Sequence, residues 1–109
     1  MPLTRDQILA ANDRPIVAAH VAAWNGEVYL RGLSGAEATE LYKLGLDEKG
    51  LTQAIVVASL CDEHGARLFK PEDAPALFDK SNAALQGVIA KAFELNGMTK
   101  EAVDAARKD

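Results

Sequence analysis

The chain has 109 residues, 49% of them hydrophobic, and 12 basic against 16 acidic side chains give a net charge of −4. One domain of that length can close a modest core without disulfides or a metal, and the apolar content excludes a disordered chain. Lys and Arg are scattered with no basic block, which argues against a nucleic-acid surface, where clustered cations must displace counterions.

Thr4-x-x-Gln7 has the spacing of a capping box, in which each side chain reaches the other's backbone N–H, and it predicts a short helix from Thr4 to Ala11. Ile8 and Leu9 give this helix only a small apolar face, and Pro15 ends it by disfavouring helix in the residue before it. The clearest β signal follows, with Ile16–Trp24 and Glu27–Arg31 flanking Asn25-Gly26, the preferred centre of a tight hairpin. A two-residue loop there would set Trp24 against Glu27, Ala22 against Tyr29 and His20 against Arg31. Val17, Val21, Val28 and Leu30 would then share an aliphatic face for the core, and His20, Trp24, Tyr29 and Arg31 an amphipathic one. A lone hairpin is marginal in water, so the aliphatic face is expected to pack on helices.

Ser34-Gly35-Ala36-Glu37 is a second capping box and opens a helix from Gly35 to about Leu44, burying Ala38, Leu41 and Tyr42, with Gly45 as its C-cap. Leu46–Gly50 reads as a charged connection. The chain is organised around the next stretch, Leu51 to Leu95, whose two apolar runs are Ala54–Cys61 and Ala83–Leu95. The first run lacks alternation and is read as helix, although Ile55-Val56-Val57 leaves a strand open. Between the runs, Asp62-Glu63-His64-Gly65 is a turn, Arg67-Leu68-Phe69 a short extended piece, and Pro71-Glu72-Asp73 the start of a short helix anchored by Leu77 and Phe78. In the second run Leu85, Val88, Ile89 and Ala92 recur at helical spacing, Ser81 is the natural N-cap, and Asn96-Gly97 closes the helix. Thr99 would cap a last polar helix, Lys100 to Lys108. The fold class is therefore α+β, a mainly helical small domain with one N-terminal β-hairpin packed on a helical core.

Little of this carries chemistry. Cys61 and His64 form a Cys-x-x-His pair, but a zinc site needs about four ligands and the other histidine, His20, lies in the hairpin. The same pair lacks the orienting group and oxyanion hole of a nucleophilic site. Asp62-Glu63 and Glu72-Asp73 occupy turn and first-turn positions, where acids are ordinary. No phosphate-binding glycine pattern occurs. The expectation is no enzyme, no metal and no cofactor. A single cysteine fits a reducing compartment, no apolar run reaches bilayer length, and MPLTRDQILAANDRP holds no signal-peptide core, so no membrane role is expected. Trp24, Tyr29 and Arg31 are the candidate partner-binding residues, because aromatic and Arg side chains are favoured at protein contacts. The other possibility is that the helices cover that face too.

The order of the motifs adds to this. LTRDQILAANDRP, VAAWNGEVYLRGLSGAE, ASLCDEHGARLF and KPEDAPALFDKSNAALQGVIAKAFELNGMT resemble the tail assembly chaperones of bacteriophages with long non-contractile tails. That pattern opens with S/T-R-x-x-I-L and continues with a hairpin ending W-G-G-x-V-x-V-R-x-L-[ST]-G-x-E. A D-E-x-G-x-x-L-F turn follows, then a K-S-x-x-A-L helix start leading to L-[NS]-G-[LM]-[ST]. The chain matches it at Leu3–Leu9, Trp24–Glu37, Asp62–Phe69 and Lys80–Thr99. Asn25 stands for the first turn glycine, and Lys70 for a Ser or Thr cap before Pro71.

The resemblance implies one chaperone domain over residues 1–109, with a hairpin at about 16–31 and a helical part at about 34–108. It implies a non-enzymatic factor of the host bacterial cytoplasm, absent from the mature virion. Such a factor coats the tape-measure protein, keeps it soluble and helps recruit tail-tube subunits, in part through a longer frameshifted form. A homo-oligomer is compatible with that role. The competing expectation is a structural phage protein such as a small head–tail connector subunit.

Overall fold

The computed structural model describes residues 1–98; the predicted last helix and its Thr99 cap lie outside them. Helix α1 (Arg5–Ala10) starts from the Thr4/Gln7 capping box and buries none of its residues. Strands β1 (Val17–Val21) and β2 (Gly26–Leu30) form the hairpin, and α2 (Gly35–Lys43) starts from the Ser34/Glu37 capping box. Helix α3 (Glu48–Ser59) runs directly into β3 (Leu60–Cys61), which pairs antiparallel with β2 and makes a three-stranded sheet ordered β1-β2-β3. A 3₁₀ turn (Pro71–Asp73) leads into α4 (Ala74–Leu77), and α5 (Asn82–Leu95) completes the described chain.

The open choice between helix and strand over Ala54–Cys61 resolves at Ser59, with helix before it and strand after it. The helix also starts earlier than its apolar run. Asp47 accepts the Gly50 N–H at 2.8 Å and so caps a segment that composition alone marks as a connection. Leu30, Val56, Leu60 and Val88 are wholly buried and tie the sheet to α3 and α5 in one cluster.

The hairpin differs from its expected register. Tyr29 faces Ala18 rather than Ala22, and His20 faces Glu27 rather than Arg31. The loop is the longer Ala22–Asn25, a 3₁₀ turn closed by Asn25 in the left-handed region with φ 54°. A two-residue loop of the preferred kind needs positive φ at both centres, and here Gly26 is instead the first residue of β2. The slip is by an even number of residues, so each side chain keeps its side of the sheet. Val17, Ala19, Val21, Val28 and Leu30 accordingly lie on the inner face, as their alternation requires.

Two joints hold the layers together. Gly32 is buried where the chain passes the end of α5, and a Cβ there would stand 2.8 Å from the Leu95 carbonyl oxygen. Next to it, Asn96 accepts the Leu33 N–H at 2.8 Å and donates to Ala92 O at 2.7 Å and Ser59 Oγ at 3.3 Å. One amide thus links the β2–α2 passage to the ends of α3 and α5. Gly97, at φ 66°, then ends α5, with Met98 N–H donating to Phe93 O at 2.8 Å.

Gly32→Ala is expected to destabilise the protein by about 1–3 kcal/mol, because the obstructing atom is backbone and cannot swing aside. Gly87→Ala, in α5 with nothing within 4 Å of the new methyl, is expected to stabilise by about 0.5–1 kcal/mol. Urea titration of both variants checks the pair.

Candidate functional site

The three residues expected to bind a partner are not brought onto one face. Tyr29 lies on the outer side of β2, 36% exposed. Arg31 lies just beyond it, but its Nε donates to Arg14 O at 2.9 Å and its guanidinium rests against Gly65, where a Cβ would be 2.6 Å from Nη1. Trp24 leaves the strand altogether. It sits in the 3₁₀ turn, half-buried, and packs on the core cluster against α5. The expected amphipathic face shared by Trp24 and Tyr29 is therefore corrected: the longer loop turns the indole inward. Trp24→Ala is expected to cost about 2 kcal/mol of stability, whereas an indole free of the core would leave the thermal midpoint unchanged.

Cys61 is buried, and burial first, then the Asp62 charge, pushes its thiol pKa up against the opposing effect of Arg31. His64 stands in solvent on the Asp62–Ala66 turn. Asp62 holds that turn by accepting N–H bonds from His64 at 2.8 Å and Ala66 at 3.0 Å, which lower its carboxyl pKa. Cys61 also bridges to Arg67, so the predicted extended piece is the return arm of a small second hairpin. Among the described residues no group of three or more His, Cys, Asp or Glu side chains could hold a metal ion.

The densest polar cluster is centred on Glu37. Its Oε1 accepts from Arg14 Nη2 at 2.7 Å and Ser34 N–H at 2.8 Å, and its Oε2 accepts from Arg67 Nη2 at 2.8 Å. Arg14 also donates from Nε to Gly32 O at 2.9 Å. One carboxylate thus joins the approach to β1, the α2 cap and the second hairpin. Partial burial raises the Glu37 pKa, but the Ser34 bond, the Arg67 bond and the two guanidinium charges outweigh it and hold the carboxyl below its ordinary range. The capping box announced only Ser34. Arg14 and Arg67, 23 and 30 residues away, carried no local signal.

Uncovered apolar surface is the remaining feature. Ile8 and Leu9 of α1 are both more than half exposed, with none of the chain's core beneath them. Tyr42, expected inside, is 59% exposed, and Leu44 and Leu46 follow it at 64% and 41%. Beside them lies a cleft of about 370 Å³ between α3 and the Pro71–Leu77 segment, walled by Leu41, Val57, Ala58, Ala74 and Pro75. The connection Leu46–Gly50 was read as charged, and the leucines on either side of Gly45 were the signal in it that pointed to this surface.

The Glu37 carboxylate makes a defined contribution to acid stability. It is fully present above the ordinary glutamate pKa of about 4.3 and is lost as pH falls through the lower folded value. The carboxylate is 30% exposed, which screens its ion pairs. Glu37→Gln keeps an oxygen for the Ser34 N–H and is expected to cost about 1 kcal/mol at pH 7. At pH 3 the difference from wild type should shrink, as urea titrations at the two pH values would record.

The family profile described as "Phage tail assembly chaperone, TAC" matches residues 7–93. The chain also superposes on the solved structure of the bacteriophage HK97 tail assembly chaperone with a TM-score of 0.61, covering 87% of this chain and 95% of that one. Sequence identity in that pair is 16%, so the likeness is one of fold. No curated protein sequence matches the chain. With most of its length under that profile, from within α1 to the last turns of α5, the chain belongs to the phage tail assembly chaperone family.

Proposed function

We propose that this chaperone binds the tape-measure protein of its phage, keeps it soluble while the tail is built, and helps bring tail-tube subunits to it. It works in the host cytoplasm and does not remain in the finished particle. Family membership over residues 7–93 is the observation that carries this role. Uncovered apolar surface on a small capped scaffold suits it, because a long amphipathic client can be coated by many copies of a small binder. Weak single contacts then gain avidity as copies line up along one chain.

On the sheet side the contact residues are Tyr29 and Arg31, with Trp24 fixing the hairpin tip behind them. Tyr29 offers a rigid aromatic surface at low entropic cost, and the Arg14 carbonyl holds Arg31 in place. Helix α1, with its Leu9 side outward, is free to join neighbouring copies into a homo-oligomer.

Co-expression of the chain with its cognate tape-measure protein is the test. The tape-measure protein is expected in the soluble fraction, co-purifying with the chaperone, and the chaperone is expected to be missing from purified particles. Tyr29→Ala should weaken retention about 30-fold with the thermal midpoint unchanged. A well-folded wild-type chain that neither retains nor solubilises the tape-measure protein would refute the role.

A further inference from the structure

We infer that β1 is an open sheet edge that pairs with β1 of a second copy, antiparallel and centred on Ala19, so that two chains share one six-stranded sheet. The inference goes beyond the client-binding role proposed above and does not depend on it. The contact is also separate from α1.

Strand β1 stands at the end of the order β1-β2-β3, so it has a partner on one side only. An antiparallel ladder spends the backbone groups of alternate residues on each neighbour, and the other alternate set in Val17–Val21 points away from β2. Among the described residues no other backbone group bonds to that set. Open edges are ordinarily guarded by Lys, by Pro or by a bulge. The strand VAAHV has neither residue, and all five of its positions pair with β2 without interruption. A groove of about 350 Å³ runs between this strand and α5, lined by small residues that include Ala19, Ala23, Ala83 and Gly87.

The helix beside the edge is equally unguarded. Asn82, Ala83, Gln86, Gly87 and Ala90 make the exposed side of α5 over that stretch, and Asn82–Ala90 holds no Asp, Glu, Lys or Arg. A solvated helix face normally carries charge, as Glu40 and Lys43 do on α2. Val17–Ala23 holds none either, in a chain of which 26% is charged. Two copies with a net charge of −4 each repel, and this uncharged strip is where they can approach.

The occupant is a second copy because the strand is complementary to itself. Reversed about Ala19, Val17 faces Val21 of the second copy and Ala18 faces its His20, with Ala19 on the twofold axis. Inner side chains then meet inner ones, and outer meet outer. The same reversal maps each alternate set of backbone groups onto itself, so donors aimed outward find acceptors aimed outward. The axis also brings the Ala83/Gly87 sides of the two α5 helices towards each other, and side chains this short permit close approach. A strand of about 17 Å with a helix face of about 13 Å covers on the order of 1,000 Å² in total, the size at which a specific interface begins. An extended peptide laid on β1 would gain the ladder alone.

Sedimentation velocity on the whole chain is expected to show a reversible monomer–dimer equilibrium across the micromolar range. A Cβ at Gly87 meets nothing within 4 Å, so Gly87→Glu is expected to leave the monomer's fold intact. Gly87→Glu and Ala18→Lys each set like charges near the axis and should weaken dimerisation at least about tenfold, with the monomer's thermal midpoint unchanged. Ile8→Glu and Leu44→Glu should dimerise as wild type does. Amide exchange in Val17–Val21 should slow from dilute to concentrated wild type, and should not slow in Gly87→Glu. A wild type that stays monomeric, or a dimer whose β1 amides exchange as in the monomer, would overturn the inference. So would association that is lost in Ile8→Glu and kept in both edge variants, because α1 would then be the contact. Exchange in β1 that slows only when tape-measure protein is added would overturn it too, since the occupant would then be a client strand.

Discussion

The passage of Gly32 and Leu33 across the end of α5 is the constraint on which the structure depends. The sheet and the helices are separate layers, and each could slide on the apolar surface of the other. A glycine that lets backbone meet backbone fixes their distance, and the Asn96 amide fixes their angle. Ser59 receives the same amide through its hydroxyl and the Arg31 N–H through its carbonyl, at 3.3 Å and 2.9 Å, so the end of α3 is held by the same joint. No buried side-chain polar atom is left without a partner among the described residues. Apolar burial supplies the gross stability, and these directional bonds select one arrangement.

Seen through these joints, the residues that carry the family resemblance have structural work. Arg31, Gly32, Ser34 and Glu37 set the turn from sheet to helix. Asp62 and Gly65 shape the second hairpin, where glycine at φ 88° also makes room for Arg31. Asn96 and Gly97 end α5 and clasp the passage. The motifs therefore identify a scaffold. Apolar surface outside those joints stays uncovered at Ile8 and Leu9 of α1, at Tyr29 on the outer face of β2, and around the α2–α3 connection.

Local features were legible in the sequence where a single turn of chain decides them. Both capping boxes, the Ser81 cap and the Asn96-Gly97 stop hold as spacing requires. The two-faced character of the hairpin was legible for the same reason, since alternation survives an even slip. The register was not, because Asn25-Gly26 permits more than one loop and the choice is made by Trp24 packing on distant residues. Strand β3 was hidden at the end of an apolar helix, because it is defined by pairing with residues distant in sequence, those of β2 above all. Of the candidate site, Tyr29 was legible as an outward aromatic. The cleft was not, since Leu44, Leu46 and Pro75 meet only in three dimensions. The burial expected for Tyr42 failed for a related reason. Helix α2 fully buries none of its residues, and its last turn leads into the exposed Leu44 and Leu46.

Rigid joints hold the fold, and the apolar surface they leave open around the α2–α3 connection is where the proposed client-binding role puts its contact. Hydrogen exchange of the chaperone, free and in complex with its tape-measure protein, addresses this most directly. The claim predicts slowed exchange from Tyr42 to Gln53 and through the Pro71–Phe78 segment, with the amides of α5 protected equally in both states. A complex that forms while those two segments exchange as they do in the free chain would contradict it.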